Sequence, residues 1–379
     1  MRTRYLVSLT VGSLFTSPGP PARVHLPALT FATVSAGAAH TCALTTGGRA
    51  YCWGDNTDGA LGTGDRVDAR LPTPVAGSLA FLSIEAGIQF TCAVSETGAA
   101  YCWGDNANGQ LGNAATPRSF TPVPVIGGLR FRTVAAGGDY ACGVSDTGLA
   151  YCWGLNHDGQ LGTGDTLPSA RPVPVATDLR FASIAAGDAH TCAVTVDSAA
   201  YCWGNNRFGQ LGIGKRGTYF TPQLVPHHHK WVMLSVGGRH SCGVAAGRRA
   251  SVYCWGDNFH GQARPIGPDG SPSPIFLPHF VDDRLDILGV TAGRRHTCLY
   301  RRHPSDAVAC WGDNLDDQLG RQVIGPFRQV SAGDAHTCAL RQDGAIYCWG
   351  RNAAGQLGDG TLSNERLPVR VNEPIALRP

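Results

Sequence analysis

The fourteen cysteines of this chain fall into seven pairs, and every pair brackets the same short phrase. Five pairs are ten residues apart: Cys42 and Cys52, Cys92 and Cys102, Cys142 and Cys152, Cys192 and Cys202, and Cys338 and Cys348. Two are twelve apart, Cys242 and Cys254, and Cys298 and Cys310. Trp-Gly follows the second cysteine each time, from Trp53-Gly54 to Trp349-Gly350. The first five copies step by fifty residues between Cys42 and Cys242, and the next two steps are 56 and 40. A unit this short cannot bury an apolar face alone, so the fold must be built from stacked copies.

Within a copy, apolar segments of four to six residues are punctuated by Gly, Pro, Asn and Asp, as in Phe181-Ala-Ser-Ile-Ala-Ala-Gly187-Asp-Ala-His190-Thr-Cys192. No stretch carries helical periodicity, so short strands joined by turns are expected. Fifty Gly and 24 Pro would fit a low-complexity chain, but they sit at fixed repeat positions among 43% hydrophobic residues. The repeat runs from residue 31 to about 371. Residues 23–379 are therefore read as one domain, with 1–22 as a signal segment or disordered tail.

Placing Cys42 opposite Cys52 makes residue 43 face 51, 44 face 50 and 45 face 49, which leaves Thr46-Gly47-Gly48 as a three-residue loop. Such loops end on a residue in the left-handed region, and Gly fills that slot at Gly48, Gly98, Gly148 and Gly344, with Ser198 as the exception. The cysteines then meet at a non-hydrogen-bonded pair, where Cα atoms lie ~4.5 Å apart, near the short end of the disulfide range. Longer tips with two added residues keep the pair facing. Alternation puts both cysteines on one side of the sheet and Tyr51 and Trp53 on the other. Both sides are apolar, so each sheet needs a neighbour on both faces. Seven such sheets fit a closed ring: an all-β, seven-bladed β-propeller with four-stranded antiparallel blades. Ala22–Leu26 and Leu367–Val371 resemble the inter-repeat strand and are expected to complete one blade between them.

The phrase Gly-x-x-His-(Thr/Ser)-Cys-Ala-Leu followed by Tyr-Cys-Trp-Gly-Asp-Asn-x-x-Gly-Gln-Leu-Gly resembles the regulator of chromosome condensation repeat, over about nine-tenths of the chain. The resemblance also implies a seven-bladed propeller. Its cysteine pairs resemble the bacterial, often surface-exposed branch. Departures occur at Phe90 and Tyr140 in place of His, at Ala60 and Gln262-Ala263-Arg264 in the Gln-Leu-Gly phrase, and at Leu155, Asn205 and Arg351 after Trp-Gly. Members of the family include a chromatin-bound nucleotide-exchange factor, ubiquitin-ligase domains, an ultraviolet-B receptor and a secreted β-lactamase inhibitor, so the fold alone names no partner. The residues before each His, such as Ala38-Ala39 and Arg294-Arg295, include no Trp, which argues against the receptor's light sensing.

Met1-Arg-Thr-Arg4 followed by a mostly apolar run to Phe15 fits a secretory signal. Seven cysteine pairs suit an oxidising compartment, so the expected location is secreted or cell envelope, with the cytoplasm as the alternative. No apolar run approaches a membrane span. A net charge of +3 does not call for specific nucleic-acid binding.

No catalytic spacing stands out. The recurring Asp55, Asp105, Asp257 and Asp313 read as turn formers, and His40, His190, His240, His296 and His336 as strand-edge hydrogen bonders. His227-His228-His229 cannot easily converge on one ion, so neither metal nor cofactor is expected. The repeat breaks in the fifth and sixth units, where Arg248, Arg249, Arg294, Arg295, Arg301, Arg302 and His303 gather. Loop insertions in repeat folds tend to fall on a binding face, and arginine suits carboxylate and phosphate partners. The reading is a monomeric, non-enzymatic module that binds another protein or an acidic surface polymer through those six arginines. The alternatives are an intracellular regulator resembling the exchange factor and a polysaccharide-acting hydrolase.

Overall fold

The computed structural model describes residues 29–372 except 116, 227–228, 266–271, 284–285, 303–306 and 322. The signal reading, the Ala22–Leu26 strand, His227, His228 and His303 lie outside the described residues. The described chain forms seven antiparallel sheets, each built from consecutive strands. Blade one is Phe31–Ala36, His40–Thr45, Ala50–Gly54 and Ala69–Pro74, running from the ring's centre outwards. Blade seven closes the ring with Phe327–Ala332, His336–Arg341, Ile346–Gly350 and Glu365–Arg370. Its four strands all come from the C-terminal end, so it needs no strand from the other terminus. The seam instead joins the inner strands of blades one and seven. The Gln329 amide accepts from Val34 N (3.2 Å) and donates to Val34 O (3.0 Å), and Ala36 N donates to Ser331 Oγ at 2.9 Å.

The hairpin register is the one the cysteine spacing dictates: Cys42 opposes Cys52, Ala43 opposes Tyr51 and Leu44 opposes Ala50. Gly48 closes the loop at φ +76°, and Ser198 holds the same slot at φ +72° without glycine's freedom. All fourteen cysteines are bridged within their own blades. Cys42 joins Cys52, Cys92 joins Cys102, Cys142 joins Cys152 and Cys192 joins Cys202 in blades one to four. Cys242 joins Cys254, Cys298 joins Cys310 and Cys338 joins Cys348 in blades five to seven. The Cα separation is 4.1 Å in blade one and 4.0 Å in blade three, shorter than the ~4.5 Å expected for such a pair. Each bridge closes a loop of about eleven to thirteen residues and contributes at most ~2–3 kcal/mol in the chain-entropy view.

Blades join through the two sheet faces. The Cys42–Cys52 side packs with Phe81, Ile84, Ala93 and Trp103 of the next blade. The glycine that ends Gln-Leu-Gly is small because the next blade's indole rests on it. A Cβ on Gly62, which sits at φ +67°, would come within 2.7 Å of Trp103 Nε1. Blade five has Arg264 in that slot, and the facing Trp311 is 9% exposed where the other six repeat tryptophans are at 0%.

Blade six departs from the expected four strands. Its described residues form three, Ile287–Ala292, His296–Arg301 and Val308–Gly312, and a single Ala307–Ile324 bridge stands where its siblings have a fourth strand. The cause is chain length. Fourteen residues separate Gly312 from Phe327, against 26 between Gly54 and Phe81; with the upper turn running to Gly320, the remainder is too short both to lie extended along the third strand and to return to the centre.

Candidate functional site

The strand order gives the ring two faces. The upper face carries the loops between first and second strands (37–39 in blade one) and between third and fourth strands (55–68), tied together by Asp55 N donating to Ala39 O at 2.9 Å. The lower face carries the hairpin tips (46–49) and the inter-blade connectors (75–80), tied by Phe81 N donating to Gly48 O at 2.8 Å.

The repeated polar residues hold this frame together. Asp55, Asp105, Asp257 and Asp313 each accept the backbone N–H two residues on, at 3.0–3.3 Å, which fixes the start of the upper loops. The histidines bridge blades rather than strand edges. His40 Nε2 meets Thr91 Oγ1 at 2.9 Å, His190 meets Ser241 at 2.9 Å, His240 meets Thr297 at 2.7 Å, His296 meets Thr337 at 2.9 Å and His336 meets Thr41 at 2.8 Å. Each hydroxyl spends its only proton on a backbone carbonyl, as Ser241 does on Gln210 O at 2.9 Å, and the Trp255 indole N–H donates to the same oxygen. The hydroxyl therefore accepts, and Nε2 must carry the imidazole proton. Burial pushes these imidazoles down to about 4 at His40 and His296 and about 3 at His190, His240 and His336. Where His is missing, its partner changes too. Phe90 faces Ala141, both fully buried in one cluster. Tyr140 donates its hydroxyl proton to His190 O at 2.6 Å beside Thr191. These histidines are structural, and among the described residues no three His, Cys, Asp or Glu side chains are grouped to hold a metal.

The six arginines do not form one patch. Arg294 and Arg295 precede the strand His296–Arg301 on the upper face, while Arg301 ends it and Arg302 follows it on the lower face, ~17–20 Å away along the strand. Arg248 and Arg249 cap the blade-five hairpin on the lower face. Arg301 is spent on Asp282 at 2.5 Å, both side chains largely buried. Arg248, Arg249, Arg295 and Arg302 are exposed.

Arg294 crosses the upper mouth of the central channel. From blade six it reaches Asp188 of blade four at 3.5 Å and Asp334 of blade seven at 3.0 Å. It passes over blade five because residue 238 is glycine; a Cβ there would sit 2.8 Å from Arg294 Cγ. The two carboxylates raise the guanidinium's already high pKa, Asp188 most. Below this latch the inner strands enclose a cavity of about 340 Å³. Ser35, Ser235, Thr291 and Ser331 line it, and each hydroxyl oxygen accepts a backbone N–H from the next blade. Glu85 opens onto the lumen yet is ringed by protein. Burial pushes its carboxyl up to about 7, against a hydrogen bond from Ser35.

The residues that stand proud of the upper face come from two places the repeat leaves free. The turn Asn-x-x-Gly, with Asp317 in the glycine slot of blade six, presents Arg207-Phe208, Phe259-His260 and Leu315-Asp316 in blades four to six, where blades one and two show Thr57-Asp58 and Ala107-Asn108. Phe259 is 51% exposed and Leu315 84%. Phe208 and Phe259 meet edge to face at 6.0 Å, and the Arg239 guanidinium lies 5.2 Å over the Phe208 ring. Arg239 heads its blade's upper loop as Arg295 does in blade six. Arg239, Phe208, Phe259 and Leu315 are absent from the sequence-based site, although the x-x slots of a recurring turn are a readable signal.

The repeat pattern and this frame match the RCC1-like domain over residues 11–324, and further RCC1 repeats over 327–356 and 343–377. The chain belongs to the RCC1-like propeller family. A human relative, the probable E3 ubiquitin-protein ligase HERC4, is 28% identical over 145 residues, which take in 34% of this chain and only 13% of the ligase. Among solved structures, human WBSCR16 is 19% identical with a TM-score of 0.63, covering 91% of this chain and 82% of that one. Prp20p of Saccharomyces cerevisiae, whose structure is described with its binding to Gsp1p and histones, is 20% identical with a TM-score of 0.60, covering 90% and 77%. The WD40 ectodomain of the Arabidopsis thaliana receptor kinase ACR4 is 22% identical with a TM-score of 0.58, covering 85% and 98%. At these identities the structures establish the RCC1-like fold and nothing finer. Seven bridged cysteine pairs point to an oxidising compartment, and among the described residues no helix is long and apolar enough to cross a membrane.

Proposed function

We propose that this RCC1-like propeller is an exported, non-enzymatic protein-binding module that uses the upper face of blades four to six. One observation carries the reading: Phe259 and Leu315 are exposed on the upper loops of adjacent blades, and Arg207, Arg239 and Arg295 are exposed on the upper loops of the same three blades. Aromatic and arginine side chains dominate binding energy at protein interfaces, and large apolar side chains held out on a rigid frame cost little to order on contact. Prp20p and the ACR4 ectodomain, as a partner-binding protein and a receptor's outer domain, support a binding role outside catalysis. The paired cysteines support export. Of the arginines singled out from the sequence, Arg295 is taken into this surface, whereas Arg248, Arg249 and Arg302 sit at hairpin tips on the lower face.

The test is cross-linked capture from the envelope and medium of the producing cells, with the captured protein identified and then purified. The triple variant Phe259→Ala, Arg239→Ala, Arg295→Ala is expected to weaken its binding at least about tenfold. The triple variant Arg248→Glu, Arg249→Glu, Arg302→Glu is expected to leave it within about twofold. The reverse pattern would move the site to the lower face, and binding insensitive to both variants would remove it from the loops.

A further inference from the structure

The outer edges of the blades are closed in a consistent way, and blade six is the exception. In the other six blades a fourth strand lies along the Cys-Trp-Gly strand, and each carries a proline at the same place: Pro72, Pro122, Pro172, Pro222, Pro278 and Pro368. Proline on an outer strand removes a donor and stops the sheet from recruiting further strands. In blade six the third strand Val308–Gly312 is itself the edge. Val308 N donates to Val323 O at 3.0 Å beside the one bridge, and among the described residues no strand continues alongside Cys310 and Gly312.

The surroundings of this edge are correspondingly uncovered. Cys310 is partly exposed while the other thirteen cysteines are at 0%. Leu315 at the upper end and Ile324 at the lower end, 84% and 71% exposed, are the two most exposed large hydrophobic residues described.

We propose that the open edge of blade six is a strand-addition site that takes an extended, proline- and valine-containing segment of a partner protein, lying antiparallel to Val308–Gly312. The six filled blades define the occupant. Against the same Cys-Trp-Gly strand they place Leu-Pro-Thr-Pro-Val, Thr-Pro-Val-Pro-Val and Arg-Pro-Val-Pro-Val, with Val173 opposite Cys152 and Pro174 opposite Tyr151 in blade three. Blade two repeats this register, with Val123 opposite Cys102, and blade four puts Gln223 opposite Cys202. Backbone groups along the edge supply affinity, and the spacing of Val and Pro supplies register. The occupant's own prolines then close the new edge against a further strand, which a second copy's Val308–Gly312 does not do. This edge runs down the rim and meets the upper-face surface only at Leu315, which neither set of variants alters, so the two sites are tested separately.

A labelled peptide copying residues 168–176 of this chain is the probe, read by fluorescence anisotropy on the whole protein. The wild type is expected to bind it. A variant replaces residues 321–326 with residues 163–180, which gives blade six a fourth strand of its own. That variant is expected to fold, with a melting temperature at or above the wild type, and to bind the peptide at least about tenfold more weakly. Saturable binding lost on filling the blade supports the site. No binding by the wild type below about 1 mM peptide, equal binding by the filled variant, or a wild-type dimer that the peptide does not dissociate would each overturn it.

Discussion

Lowering the pH from 7 to 5 is expected to destabilise this protein by about 5–10 kcal/mol, comparable with the whole stability of an ordinary domain. Five imidazoles are buried between blades with pKa values of about 3 to 4, against 6.5 for the unperturbed side chain. Their folded-state values are depressed, so the stability they contribute is complete above about 6.5 and is lost as the pH falls towards the folded values. In that window the unfolded chain takes up protons that the folded ring refuses, at about 1.4 kcal/mol per histidine per pH unit. Glu85 works the other way. Its raised carboxyl contributes stability below its unfolded value of 4.5 that is lost as the pH rises through about 7. It opens onto the lumen, where solvent screens it, so it offsets less than one histidine. Urea midpoints at pH 7, 6 and 5 under non-reducing conditions check this. A stability independent of pH over that range would show that the histidines are not held neutral between blades.

The junction between blades two and three indicates how one of these contacts can be removed. There, Phe90 and Ala141 stand where the other junctions have a hydrogen-bonding ring and a hydroxyl. His190→Phe alone is expected to cost about 2 kcal/mol, because a larger apolar ring is pressed against Ser241 Oγ, which loses its donor. Ser241→Ala alone is expected to cost a similar amount by leaving the buried Nε2 proton without an acceptor. The double variant reproduces the Phe90–Ala141 junction, so it should be less destabilised than the sum of the two by about 1–2 kcal/mol. It should also lose about one proton from the acid dependence. Additive costs would mean that the two side chains do not act as a pair.

Much of the frame is legible in the cysteine spacing, because a ten-residue hairpin with a three-residue loop has one register that brings two sulfur atoms together. The turn glycines, the two apolar faces and the count of blades follow from the same local geometry. What crosses between blades is harder to read. His40 and Thr91 are 51 residues apart, and strict repetition hides which neighbour a side chain meets. Only the departures expose it, since Phe90 and Ala141 change together in adjacent copies. Arg294–Arg295 and Arg301–Arg302 look like one basic patch in sequence, yet the strand between them carries them to opposite faces. The Arg294 latch to Asp188 depends on a glycine in the blade it crosses. The forty-residue step after Cys298 is plain in the sequence, and its consequence, a blade short of one strand, follows from counting residues against the return path.

The ring as described depends on sulfur pairs closing within blades, one per sheet. The direct measurement is non-reducing peptide mapping by mass spectrometry on protein alkylated before release from the cells that make it. Seven linked pairs are expected, from Cys42–Cys52 and Cys92–Cys102 through Cys192–Cys202 and Cys298–Cys310 to Cys338–Cys348, with no alkylated cysteine. A link between cysteines of different blades, or free thiols throughout, would contradict it.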